Sequence, residues 1–170
     1  MKVKIWEFAT ESKIDAWIRE GKEREMPSMH ENWRFNFNKH VKQTNSVGYV
    51  LTATDTPEII EGCMILQIKA NTVLYLSYLE VAPQNQKPDK KYDWIAGCLI
   101  AFAYKQSLVK ADGDYKGMLF IGVSEADEAD QRKLMNLYFE KYNAKMYSDT
   151  IMAIVDEDGD ELIKRYLENE

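Results

Sequence analysis

Residues 47 to 81 hold three apolar segments in succession, VGYVLTATD, EIIEGCMILQIK and TVLYLSYLEV, separated only by the turn-forming clusters DTPE and KANT. Connections this short join strands that run in opposite directions, because a parallel return needs a crossover of a dozen or more residues. The stretch is read as three consecutive antiparallel strands. The rest of the chain has to be arranged around that meander.

On its N-terminal side, VKIWEF at 3 to 8 alternates as a short strand does. The following TESKIDAWIREGKE places Ile14, Trp17 and Ile18 on one helical face behind a Thr or Ser cap, which predicts a helix. In PSMHENWRFNFNKHVK at 27 to 42, Trp33, Phe35 and Phe37 alternate, yet Ser28 or Asn32 can equally cap a helix, so both states stay open.

On its C-terminal side, PQNQKPDKKYDWIAGCLIAFA at 83 to 103 leads from the third strand into a helix. Asp93 is the expected N-cap, and Trp94, Ile95, Cys98, Leu99, Phe102 and Val109 recur at helical spacing. MLFIGVS at 118 to 124 reads as a buried strand and QRKLMNLYFEKY as an amphipathic helix closed by Asn143. KMYSDTIMAIV reads as a strand and DELIKRYLEN as a last helix, with the acidic DEDGDE as the turn before it. This order predicts an α/β (α+β) fold in one domain spanning 1–170: a mixed, mostly antiparallel twisted sheet of six to seven strands flanked by helices.

Charge narrows the function classes. A formal net charge of −6 supplies no global field to attract a phosphate backbone or an anionic membrane, so neither nucleic acid nor membrane is an expected partner. Lys87, Lys90 and Lys91 form a local basic strip. Cys63 and Cys98 lie in apolar runs without paired spacing and are expected to be reduced and buried. No window has the length of a membrane span, which makes the cytoplasm the expected compartment. No metal site is expected. His30 and His40 fit no ligand spacing, and DEDGDE has its glycine at the fourth place of a calcium loop and Leu167 at the twelfth. Ser77 and Ser124 lack a glycine elbow, so a serine hydrolase is not supported.

Three motifs in order resemble the GNAT family of N-acetyltransferases. YLSYLEVAP at 75 to 83 is similar to the family's fourth strand ending in Leu-x-Val-x-Pro, AGCLIAFA at 96 to 103 to the helix after its pyrophosphate loop, and LYFEKYNAK at 137 to 145 to its Tyr-Glu-Lys-x-Gly-Phe helix end. The resemblance implies acetyl transfer from acetyl-CoA, as co-substrate, to an amine of a small molecule or a protein. A homodimer is a candidate assembly. It implies pantetheine contacts at Leu79 and Val81, with Gln86 opening the pyrophosphate loop and Lys91, Trp94, Ala96, Gly97 and Cys98 following.

The departures from the family pattern lie in that loop and in the second helix. KPDKKYDWI lengthens the loop, and Trp94 stands where the first glycine belongs. Its indole either points into the core or covers the pyrophosphate space. The lysines either neutralise phosphate or form a solvated basic loop. Glu80, which alternation places with Tyr78 and opposite Leu79 and Val81, is the candidate general base, and Tyr138 the candidate acid toward the leaving thiolate. The family's tyrosine register falls on Phe139, so Tyr138, about 100° round the helix, is expected to serve only if the helix is shifted. The alternative reading is a catalytically degenerate GNAT-like fold that acts as an acyl-CoA sensor or a protein-interaction module.

Overall fold

The computed structural model describes residues 1–168. Among these, nine strands form one sheet: β1 (Lys2–Glu7), β2 (Ser12–Glu20), β3 (Ser46–Ala53), β4 (Gly62–Lys69), β5 (Val73–Val81), β6 (Tyr92–Asp93), β7 (Met118–Gly122), β8 (Lys145–Ser148) and β9 (Ile151–Val155). The helices are α1 (Phe37–His40), α2 (Ile95–Lys110), α3 (Glu128–Tyr142) and α4 (Asp156–Tyr166). Strand order is β6-β1-β2-β3-β4-β5-β7-β9-β8, and the pairing of β5 with β7 is parallel while the others are antiparallel. The mixed, mostly antiparallel sheet and the meander of β3, β4 and β5 agree with the sequence reading.

The strand count does not, for three reasons, the smallest being β6, a two-residue strand in the stretch read as the approach to α2. The predicted helix over 10–23 is β2. Ile14, Ala16 and Ile18 satisfy a period of two as well as Ile14, Trp17 and Ile18 satisfy a helical one, and the β1 hairpin decides between them. Ile5 pairs with Ile14 and Val3 with Ala16 on the buried face, while Lys2 and Lys4 both reach Asp15 on the other face, at 2.6 and 2.7 Å. Trp17, assigned to the buried side of a helix, is 45% exposed. The predicted single strand over 145–155 is two, because the chain turns at Asp149–Thr150 and β8 folds back on β9.

One face of the sheet is covered by α2, α3 and α4 over the main core, in which Ile5, Leu51, Met64, Leu76 and Leu119 meet Leu99, Ile100 and Tyr166. Helices α2 and α4 interlock reciprocally. A Cβ on Gly97 of α2 would lie 2.3 Å from the Tyr166 ring of α4, and one on Gly159 of α4 would lie 2.1 Å from the Tyr104 ring of α2. DEDGDE, expected as a turn, is the opening of α4, with Asp156, Glu157 and Asp158 in its first turn, where the helix dipole favours acids. The opposite face is covered over its β3–β5 portion by residues 26 to 41. Met26, Trp33 and Phe37 there pack on Val50, Cys63 and Ile65. The stretch from 27 to 42, left open by the sequence, holds one 3₁₀ turn, Met29–Glu31, and α1. No helix among the described residues is long and apolar enough to cross a membrane.

Candidate functional site

Strands β5 and β7 pair in parallel at Leu74–Leu76 with Leu119–Ile121 and then separate. Each follows its outer neighbour. β5 stays with β4 to the Gly62–Val81 pair, while β7 stays with β9, and the Val123 N–H continues that ladder to the Thr150 carbonyl at 2.9 Å. Separation begins at a β-bulge. Leu66 faces Leu76 and Ile65 faces Tyr78, which leaves Ser77 as the extra residue. The bulge also resets the side-chain phase. Strict alternation from Leu74 and Leu76 would drive Tyr78 and Glu80 into the main core, whereas the extra residue keeps Leu79 and Val81 on that side. Tyr78 and Glu80 therefore face away from it together, as the sequence reading placed them.

The opening is a cavity of about 460 Å³ lined by Ser77 and Leu79 of β5, by Gly122 at the end of β7 with Ser124 and Glu125 after it, and by Tyr138 of α3. Its outer part is lined by Arg34, Phe35, Gln43, Gln67, Lys69, Tyr75 and Tyr78. The Ser77 hydroxyl is buried without a hydrogen-bond partner, an uncommon condition that a ligand in the cavity can relieve.

Tyr138 is 8% exposed and lines the cavity, whereas Phe139 is 59% exposed and lies on the outer side of α3. The family register would have the reverse. The helix ends in a left-handed Asn143, with the Asn143 N–H donating to the Phe139 carbonyl and the Ala144 N–H to that of Tyr138. Tyr138 and Tyr142 thereby turn inward together. Burial, with a smaller contribution from the Glu125 charge, pushes the Tyr138 phenol up to about 12. It keeps its proton at neutral pH.

Glu80 is 8% exposed and already engaged. Its carboxylate accepts the Arg34 N–H at 2.8 and 2.9 Å, the Phe35 N–H at 3.3 Å and the Gln86 amide at 3.3 Å. Arg34, held in this way, extends its guanidinium across the mouth to the Glu125 carboxylate. His40 stacks on Tyr78 with centroids 3.8 Å apart, and burial lowers its pKa, which favours the neutral ring.

The loop after β5 lies elsewhere. Leu79 lines the cavity, but neither Val81 nor any residue from Gln86 to Cys98 does. The Gln86 amide donates to the Val81 carbonyl at 2.6 Å, and Asn85 joins Glu61 to the Tyr92 N–H. β6 then pairs with the end of β1, and Phe8 N–H donates to the Lys91 carbonyl at 3.1 Å. Lys90 is paired with Asp93 at 2.9 Å and Lys91 with Glu7 at 3.9 Å, so both lysines are partly neutralised within the protein.

Trp94, not Asp93, is the α2 N-cap, in the left-handed region at φ 70°. Its indole packs on Trp6 at 5.9 Å and against the main core, the first of the two expected orientations. Gly97 meets Tyr166, and the Cys98 thiol, pushed up to about 12 by burial, donates to the Lys4 and Tyr166 carbonyls. Their side-chain positions are thus packing positions. Only the first-turn N–H groups of Ile95, Ala96 and Gly97 lack intrahelical acceptors, the first helical bond being Cys98 N–H to Trp94 carbonyl.

Sequence reasoning missed Lys69 and the pairing of Arg34 with Glu125, and weighed Ser77 only as a hydrolase nucleophile. The bulge had a signal: in LYLSYLEV the inward apolar residues step by two from Leu74 to Leu76, then by three to Leu79. Arg34 and Glu125 had none, being 91 residues apart in sequence. No group of metal ligands occurs among the described residues.

No protein-family model matches the chain, and no curated protein matches it significantly. Solved structures match along most of the chain. Mutant forms of the spermidine/spermine N-acetyltransferase SpeG from Vibrio cholerae superpose with a TM-score of 0.54 at 14% identity, covering 88% of this chain and 97% of that one. The KacTA–DNA complex gives 0.54 at 12% identity, covering 88% and 99%. A GNAT family acetyltransferase from Elizabethkingia anophelis with acetyl-CoA bound gives 0.50 at 12%, covering 83% and 98%. The chain has the GNAT fold.

Proposed function

We propose that the protein transfers an acetyl group from acetyl-CoA to an amine. The observation that carries this reading is the opening between β5 and β7 at the Ser77 bulge, with the Tyr138 phenol presented to it. Two structures of the same fold, the Elizabethkingia enzyme and AtaTR, hold acetyl-CoA. When bound, acetyl-CoA supplies an activated thioester carbonyl. The cavity fits an extended arm and an acyl group: its walls are two backbone edges freed from each other, and the unpartnered Ser77 hydroxyl can donate to a carbonyl oxygen there. Tyr138, protonated at neutral pH, can give its proton or a hydrogen bond to a departing thiolate. The phosphates would be met by the first-turn N–H groups at the positive end of α2, since Lys90 and Lys91 already have acidic partners.

Glu80, expected as the base, is assigned here to positioning the segment that carries Arg34 and Phe35. The acceptor's proton leaves to water. In Glu80→Gln the amide NH₂ cannot accept the Arg34 N–H and the Gln86 amide that now reach Oε1, so stability in urea unfolding is expected to fall by about 1–3 kcal/mol while kcat of the folded protein is kept. If Glu80 is also the base, kcat falls as well.

Calorimetric titration with acetyl-CoA, followed by assay of free thiol release in the presence of amines, tests the proposal. Saturable binding with amine-dependent thiol release is expected. Absence of binding at millimolar acetyl-CoA would sink it. The engaged carboxylate and neutralised lysines favour one second reading, an acyl-CoA sensor, which predicts binding without thiol release.

A further inference from the structure

The charges around the cavity restrict the acceptor. Three charged side chains line it, Arg34, Lys69 and Glu125. Glu125 is neutralised by Arg34, so a second ammonium on an acceptor would meet no free carboxylate. Lys69, by contrast, has no carboxylate partner among the described residues.

Lys69 is exposed, and its ammonium rests on an aromatic ring beside the cavity. Its Nζ lies 4.1 Å from the centre of the Tyr75 ring, and Tyr75 in turn stacks on Phe120 of β7 at 5.4 Å. The two rings belong to the strands whose separation creates the cavity, so this contact biases the ammonium toward the opening. A cation over an aromatic face retains donor capacity on its other side. Gln67, the cross-strand partner of Tyr75, has its amide NH₂ tied to the Thr44 carbonyl at 3.1 Å, which stiffens the same wall.

We infer that the acceptor is an amine that also carries a carboxylate, with the amine entering the β5–β7 opening and the carboxylate meeting Lys69 on its Tyr75 support. This inference rests on the acetyl-transfer reading for the fate of the amine, and on the cavity geometry alone for the carboxylate. It excludes polyamines as preferred acceptors, whatever the fold shared with SpeG. A polycation would bring positive charge toward Lys69 and Arg34 without a free acidic group to receive it.

The test uses a graded series, β-alanine, 4-aminobutyrate and 6-aminohexanoate, beside the matching carboxamides and diamines, with spermidine as a further acceptor. At fixed saturating acetyl-CoA, at least one amino acid is expected to exceed its carboxamide and its diamine by tenfold or more in kcat/KM. Lys69→Met is expected to bring that ratio to within twofold, and Lys69→Glu to invert it toward the diamine. Lys105→Met, on exposed α2 surface, should leave the ratio unchanged. Equal rates across the series, or preference for diamines or spermidine in the unaltered protein, would overturn the inference.

Binding without cofactor gives an independent reading if no amine is acetylated. The best-fitting amino acid should then still bind saturably by calorimetry, more tightly than its carboxamide, with the difference lost in Lys69→Met. Loss of transfer with this binding intact would refute the acetyl-transfer reading and keep the carboxylate site. Transfer without the carboxylate preference would do the reverse.

Discussion

Tyr138→Phe should lower kcat by about 10²–10³-fold while leaving the protein folded, which is the range expected when a positioned proton donor is removed from a reacting group. The substitution deletes only the hydroxyl from a side chain whose ring already packs with Tyr142, at 5.9 Å between centroids, so little volume is lost. Because the phenol is pushed up to about 12, its proton is present throughout the neutral range. Acetyl transfer by the unaltered protein should therefore show no loss of rate from Tyr138 ionisation below about pH 11. Phe139→Tyr supplies the complementary measurement. It restores the tyrosine to the family's register but puts the hydroxyl on the outer side of α3, so kcat should not change, and Phe139→Tyr added to Tyr138→Phe should not rescue it. Rescue would mean that α3 rotates when substrates bind. Full activity in Tyr138→Phe would mean that the thiolate leaves without this donor.

The second large effect concerns stability. Gly97→Ala in a solvent-exposed helix would gain about 1 kcal/mol from propensity. Here the new methyl would lie 2.3 Å from Cε1 of Tyr166, a buried ring with no free space to move into. Overpacking of this kind costs about 1–3 kcal/mol and can exceed that when a backbone must shift. A net loss of about 1–2 kcal/mol is expected, read as a fall in Tm of about 3–8 °C for a chain of this size. Gly122→Ala is the control, since a Cβ there meets nothing within 4 Å. Gly159→Ala should behave like Gly97→Ala, because it strikes Tyr104 in the same way from the other helix. If Gly97 instead acted by admitting a phosphate, its alanine variant would keep its Tm and lose acetyl-CoA affinity. The two measurements therefore separate helix packing from phosphate approach.

The contrast between these two residues shows how far sequence could be read. Tyr138 and Gly97 were both picked out by motif, and motif could not say what either side chain faces. For Tyr138 the deciding quantity was the rotation of α3 about its axis, fixed by Tyr142 and Asn143 at its end. For Gly97 it was the arrival of Tyr166, a residue 69 positions later, on the same face of α2. Glu80 followed a similar course. Its place on the face shared with Tyr78 was legible from alternation, but its engagement by the Arg34 and Phe35 N–H groups came from a segment whose conformation the sequence left open.

What the sequence determined by itself was local. The β3–β4–β5 meander, the apolar β7 and the closure of α3 at Asn143 each follow from periodicity and turn chemistry within a few residues, because short connections and backbone sterics leave few alternatives. Tertiary structure decided whatever depended on competition between two permitted patterns or on partners distant in the chain. β2 became a strand because β1 offered it a ladder with inward-facing partners for Ile14 and Ala16, and β3 one for Ile18, although its spacing also suited a helix. The loop from Pro83 to Trp94, with lysines suited to a phosphate, was drawn to the end of β1 by Glu7, Trp6 and Phe8. The cavity itself arose from a single unpaired residue, Ser77, after which β5 and β7 each kept hydrogen bonding to its outer neighbour. A backbone group takes the partner that the whole sheet brings within reach, and no local pattern encodes that choice.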